Sequence, residues 1–179
     1  GYTEYLLESQ VVTGIAIDGA NRKWFGTSSS GVYLIAEDGT EEILHFTVEN
    51  SPLMSNGILT IAVNHESGEV FFGTEQGICS YKSTATEGKT DYSAVYAFPN
   101  PVEPNYHGDI AITGLMANSE IRITDISGNI VYQGIADGGQ AVWKGNTAEG
   151  NRVKTGIYLV FCAAEDGSQA VATKILFIN

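Results

Sequence analysis

The strongest constraint on this chain is a repeat inside its first half. Gly14-Ile15-Ala16-Ile17-Asp18, Lys23-Trp24-Phe25-Gly26-Thr27 and Gly31-Val32-Tyr33-Leu34 recur as Thr60-Ile61-Ala62-Val63-Asn64, Val70-Phe71-Phe72-Gly73-Thr74 and Gly77-Ile78-Cys79-Ser80-Tyr81. Gly26 and Gly73 lie 47 residues apart, and Gly31 and Gly77 lie 46 apart. Periods of this size mark repeated supersecondary units. The first copy predicts four strands, at Thr13 to Asp18, Arg22 to Thr27, Gly31 to Glu37 and Glu42 to Glu49. Asp18-Gly19 and Asp38-Gly39 suit the hairpin turns between them, because glycine tolerates the positive φ that primed turns demand. The second copy, near 59–82, ends about one strand short.

A four-stranded unit of this length is what a β-propeller blade requires. The short apolar strand ending in Asp, the aromatic-Gly-Thr and the Gly-apolar-aromatic resemble the two-component-regulator propeller repeat over about residues 10–82. Residues 1–82 are thus expected to form a partial propeller, with Tyr2 to Leu7 as the outer strand of a preceding blade. Two blades cannot close a ring. Either the chain begins inside a propeller or the partial sheets pack on something else. Trp24, Phe25, Phe71 and Phe72 are expected as stacking core between blades rather than as a ligand platform. Open blade edges, with Trp24 and Phe72 exposed, are expected to drive self-association.

Residues 83–91, Ser-Thr-Ala-Thr-Glu-Gly-Lys-Thr-Asp, have linker composition. From 92 to 179 the repeat vanishes and seven short strands are predicted, at Ala94 to Phe98, Asp109 to Thr113, Glu120 to Asp125, Ile130 to Ile135, Gln140 to Lys144, Gly156 to Ala163 and Ala170 to Ile178. Ile110/Ile112, Ile121/Ile123 and Tyr158/Val160 keep the period of two that one buried face imposes. The expected class is all-β: about two propeller blades followed by an immunoglobulin-like sandwich.

Phe98-Pro99-Asn100-Pro101, the run Ile121 to Asp125 leading into Gly128, Thr155-Gly156-Ile157-Tyr158-Leu159-Val160 and a last strand containing Lys174 occur in that order. Together they resemble the C-terminal sorting module of the Por (type IX) secretion system over about residues 94–179. That resemblance implies an exported protein whose module is recognised by translocation machinery. Val142-Trp143-Lys144-Gly145, with Gly150 and Val153, is closer to the Ig-like domain of flagellar hook-capping proteins, a related sandwich that would act as a structural cap. Pro99 and Pro101 lack backbone donors and belong at an edge or entry. The last strand is read as both core and address: Ile175 and Phe177 pack inward beside Val160 and Ile123, Lys174 sits at the rim, and a receptor pairs with the open edge.

Acidic residues outnumber basic ones 21 to 9, and the net charge of −12 repels nucleic acid and anionic membranes. No apolar run approaches the ~20 residues a spanning helix needs. No signal peptide opens the chain, and since Tyr2 to Leu7 already reads as folded sequence the natural N-terminus is expected elsewhere. Cys79 and Cys162 read as two buried, reduced thiols, with a bridge between domains as the alternative.

No catalytic, cofactor or metal site is predicted. His45, His65 and His107 have no partner at ligand spacing. Asp18-Gly19-Ala20-Asn21 lacks the alternating carboxylates of a cation loop and reads as a turn. Glu41-Glu42 and Glu165-Asp166 are adjacent acids beside turn glycines, with nothing to desolvate one of them.

The preferred reading is therefore a non-catalytic, surface-associated propeller protein, similar to the propeller component of that secretion system. It would bind secretion-machinery proteins or surface polysaccharide. The alternatives are the periplasmic sensor region of a hybrid two-component histidine kinase, which would continue into a membrane helix, and an accessory carbohydrate-binding or adhesion protein.

Overall fold

The structure, a computed structural model, describes residues 6–178. The chain divides into two compact units, Gly1–Ser83 and Thr84–Asn179. The class is all-β. Most of the expected outer strand Tyr2 to Leu7 lies outside the described residues, and the part within them, Leu6 and Leu7, forms a turn.

The first unit holds two antiparallel sheets. β1 (Val12–Ile17), β2 (Lys23–Thr27), β3 (Val32–Ile35) and β4 (Glu42–Phe46) lie side by side in chain order. β5 (Ile58–Asn64), β6 (Glu69–Thr74) and β7 (Gly77–Lys82) form the second sheet with the same meander. The repeat motif has a local cause. Thr27 Oγ1 donates to Gly31 O at 2.9 Å, and Thr74 Oγ1 donates to Gly77 O at 2.9 Å, so each threonine ties its own hairpin shut. The glycine before it is about close approach: a Cβ on Gly26 would stand 2.6 Å from Ile58 Cγ2 of the other sheet.

Adjacent residues of a strand point to opposite faces. Trp24 faces the second sheet and is fully buried, its ring centroid 5.7 Å from Phe72, 5.9 Å from Tyr81 and 6.4 Å from Phe46. The two partial sheets therefore pack on each other. This corrects the expected exposure of Trp24 and Phe72, which are buried and offer no surface for self-association. Phe71 corrects the core assignment in the other direction. It aligns with Trp24 in the repeat, faces away from the shared core and stays 38% exposed.

Asp18 anchors the β1–β2 turn. Its side chain is fully buried and accepts from Ala20 N at 3.0 Å, Arg22 N at 3.1 Å, Arg22 Nε at 2.9 Å and Trp24 Nε1 at 3.2 Å. Arg22 Nη2 reaches on to Ser83 Oγ at 2.8 Å, across the whole unit in sequence. Desolvating this carboxylate is costly, and the saturated donors offset that cost.

The second unit is a sandwich. One sheet runs β12 (Gln140–Trp143), β9 (Ile110–Thr113), β8 (Tyr96–Phe98). The other runs β11 (Ile130–Ile135), β10 (Glu120–Thr124), β13 (Gly156–Ala163), β14 (Ala170–Phe177). Ile110, Ile112, Ile121, Ile123, Val160, Ile175 and Phe177 are each 0% exposed and fill the space between the sheets.

Residues 83–91 correct the linker assignment. Ser83 closes the first unit, while Thr84 Oγ1 donates to Asp137 Oδ2 at 2.8 Å and Gly139 N donates to Thr86 O at 2.8 Å. Lys89 N donates to Leu115 O at 2.7 Å, and Ala85 is fully buried. Polar composition hid this because small residues bond through their backbones, which composition does not report.

Two outcomes are expected. Asp18→Ala removes the carboxylate that faces the buried Arg22 guanidinium and should destabilise the first unit by about 3–5 kcal/mol, read as an earlier urea transition of Trp24 fluorescence in a Trp143→Phe background. A sandwich beginning at Thr84 should be more stable than one beginning at Tyr92 by roughly 2–4 kcal/mol, from three to four hydrogen bonds at about 1 kcal/mol each. Equal denaturation midpoints of the two fragments would show that 84–91 contribute nothing.

Candidate functional site

The candidate site is β14, because it carries Lys174, Ile175 and Phe177. β14 pairs antiparallel with β13 without a bulge, from Gly156↔Phe177 to Ala163↔Ala170. Ile175 and Phe177 point inward beside Val160 and Ile123, while Lys174 is exposed opposite Leu159. Phe177 is a hub: its ring lies 6.0 Å from Trp143 and 6.1 Å from Tyr158, and the Arg152 guanidinium carbon stands 4.5 Å over its face. Tyr158 OH donates to Lys154 O at 2.8 Å, an upstream backbone bond of the tyrosine-corner kind.

The stretch resembling hook-capping domains serves the same hub. Arg152 is held by Lys144 O at 2.7 Å and by Tyr106 O. Gly145 has φ +71°, and a Cβ there would meet Arg152 Nη1 at 2.6 Å and the Phe177 ring at 2.8 Å. Only glycine leaves room for the cation over the ring.

The outer edge of β14 departs from expectation. Asn100 Nδ2 donates to Lys174 O at 2.9 Å, and Leu176 N donates to Asn100 Oδ1 at 3.0 Å. Val102 N then donates to Leu176 O at 2.8 Å, and Ile178 N to Val102 O at 2.9 Å. One side-chain amide thus presents a donor and an acceptor as a neighbouring strand would. The edge expected to be open from Lys174 onward is closed by the chain's own 99–102 segment, which follows edge strand β8. Pro99 and Pro101, each after a cis peptide bond, flank the clamp. Asn100 is the clamp residue whose part the sequence left unstated: the motif Pro-Asn-Pro was visible, but its partner lies 74 residues away.

The other motif residues are local. Asp125 Oδ1 accepts from Ser127 N at 2.8 Å and Asn129 N at 2.9 Å, and Oδ2 accepts from Asn129 Nδ2 at 2.8 Å. These bonds, the Asn129 side chain first, hold its carboxyl below the usual range. Gly128, at φ +88°, completes that turn, and Gly156 starts β13. Neither approaches Lys174 in register.

Among the described residues no three His, Cys, Asp or Glu side chains converge as metal ligands. His45 stacks on Tyr33 at 3.9 Å and bonds Ser30 O at 2.7 Å, while His65 and His107 are exposed. Both cysteines are free, and burial pushes the Cys162 thiol up to about 11.

Residues 96–178 match the family model described as a secretion system C-terminal sorting domain. PorZ of Porphyromonas gingivalis, described as an essential bacterial surface component of the type-IX secretion system, is similar over 98% of this chain at 34% identity, with a TM-score of 0.66. The chain spans 24% of the length of that protein. The extracellular domain of a putative one component system from B. thetaiotaomicron aligns over 99% of the chain and 26% of its own length, at 10% identity and a TM-score of 0.35. That of a putative hybrid two component system from the same organism aligns over 99% and 40%, at 11% identity and 0.29, and neither overlay carries weight. The chain has no match among curated proteins.

Asn100→Ala removes both clamp bonds without touching the core. It should cost about 1–2 kcal/mol and speed hydrogen exchange at Leu176 while the amide of Ile175, bonded toward β13, stays protected. Unchanged exchange at Leu176 would mean the clamp is not maintained in solution.

A final strand locked into a sandwich core, the ordered Pro-Asn-Pro, Asp-turn and Gly-x-Tyr motifs, and the matched family model together make residues 96–178 of this extracytoplasmic protein a member of the secretion system C-terminal sorting domain family, following propeller-type sheets in the chain as in PorZ.

Proposed function

We propose that the sandwich is a sorting module read by proteins of a type IX secretion machinery, and that the propeller sheets bind a partner protein or surface polysaccharide without catalysis. The observation that carries this reading is the family match over 96–178, whose last strand supplies buried Ile175 and Phe177 and exposed Lys174. One strand thus serves stability and presents an address. The non-catalytic part is supported by the solvent-exposed acids Glu41, Glu42, Glu165 and Asp166 and by histidines that stand apart. A general acid needs a desolvated setting, which these four exposed carboxylates lack.

A passenger protein carrying an inner-membrane export signal and residues 84–179 at its C-terminus should reach the cell surface in a bacterium with a type IX system. Lys174→Ala should lower surface delivery, measured by protease accessibility on intact cells, without shifting the melting temperature of the sandwich. A passenger that remains periplasmic with the intact module would overturn the sorting reading and leave a structural cap.

A further inference from the structure

The clamp divides the outer edge of β14 into two parts with different fates. Along an unbulged antiparallel ladder, backbone groups point alternately toward the neighbour and away from it. Leu176 N and Lys174 O point outward to Asn100, and Gln169 O points inward to Ala164 N, so residues 170, 172 and 174 share the outward parity. The half from Lys174 O to Ile178 is closed by Asn100 and Val102. Ala170 and Ala172 are exposed, and no strand of the sheet lies beyond β14 to pair with their outward N–H and C=O groups.

Edges are normally blunted by charge, proline, a bulge or a covering loop. Here Pro99, Asn100 and Lys174 protect one half, while two alanines leave the other bare. Beside that bare stretch is a notch of about 380 Å³, lined by Phe161, Ala163, Ala170 and Ala172, with the Glu120–Arg122 pair as its rim. Phe161 is 45% exposed on this outer face.

We propose that Ala170 to Lys174 is a strand-addition slot, where an extended segment of a partner polypeptide pairs with β14 and seats one large apolar side chain against Phe161. The proposal rests on the sorting reading and names the surface by which the module is read. Backbone pairing supplies affinity, and the notch supplies selectivity. Charge sets the polarity of the occupant. Lys174 marks one end of the slot, and the Glu165 and Asp166 carboxylates of the β13–β14 hairpin mark the other. The segment that fits carries an acidic residue beside Lys174 and a basic one beside the hairpin. Asn100 sets the limit of the added strand, since pairing past Lys174 would have to displace its amide.

Ala172→Pro tests this in the full-length exported protein, because it deletes an outward N–H that bonds nothing within the described chain. Proline is tolerated on an edge when its missing donor faces solvent. The expected result is a melting temperature within a few degrees of the parent and surface delivery reduced at least about tenfold. A photo-crosslinking residue at 172 should give a discrete adduct during export, and one at Gln133, on the far edge strand of the same sheet, should give none. Normal delivery of folded Ala172→Pro protein overturns the slot, as does an adduct at 133 with none at 172. If Ala172→Pro fails to fold, the two crosslinking positions decide alone. Deleting 84–179 separates the two readings: unimpaired delivery then sinks the sorting module itself, whereas lost delivery with an indifferent position 172 sinks only the slot.

Discussion

The sandwich depends on how the backbone of β14 is shared. Its inward-parity groups bond to β13, its outward groups from Lys174 to Ile178 bond to Asn100 and Val102, and its inward side chains close the core around Trp143 and Tyr158. A strand held by β13 along its length, by Asn100 and Val102 over its last half and by the core on one face has little freedom to slip, because a shift by one residue would exchange Ile175 and Phe177 for Lys174 and Leu176. The same register that makes the core thus fixes which side chains are displayed outward.

The first unit shows how a repeat can be kept while its chemistry drifts. Asp18 and Asn64 occupy the same place, and both accept backbone N–H groups of the following turn: Ala20 and Arg22 in one copy, Glu66 and Ser67 in the other. The charge is needed only in the first copy, where Arg22 and Trp24 Nε1 also converge on the carboxylate. Glu69, paired with Asn64, stands where Arg22 would, and beside a residue that is not cationic an amide suffices. The aromatic pair drifts in the same way. Trp24 and Phe72 meet in the shared core from opposite positions of the pair, since neighbouring residues face opposite sides of a sheet.

Much of the architecture was legible in the residues. Period-two alternation and glycine-bounded turns placed the strands to within a few residues at each end, because those signals arise within one hairpin. Long-range facts were not legible. Nothing in Ser-Thr-Ala-Thr-Glu-Gly-Lys-Thr-Asp announces that its backbone will bond Leu115 and Gly139. Asn100 is one exposed amide until β14 is laid beside it. Phe71 looked like Phe72 because composition does not say which face of a sheet acquires a neighbour. At the candidate site, the burial of Ile175 and Phe177 followed from alternation, whereas the closed edge followed only from the fold.

The buried setting of Cys162 has a consequence for life in an oxidising compartment. Thiol–disulfide exchange proceeds through the thiolate, and a thiol raised to about 11 is ionised in only about one molecule in a thousand at pH 8. Encased between the sheets as well, Cys162 is shielded from oxidants and mixed disulfides without a bridging partner. Cys79, partly accessible in the first unit, lacks that steric protection. A thiol reagent added to the folded protein will therefore mark the propeller-type sheets and pass over the sorting domain, so redox damage and chemical labelling fall on one end of the chain.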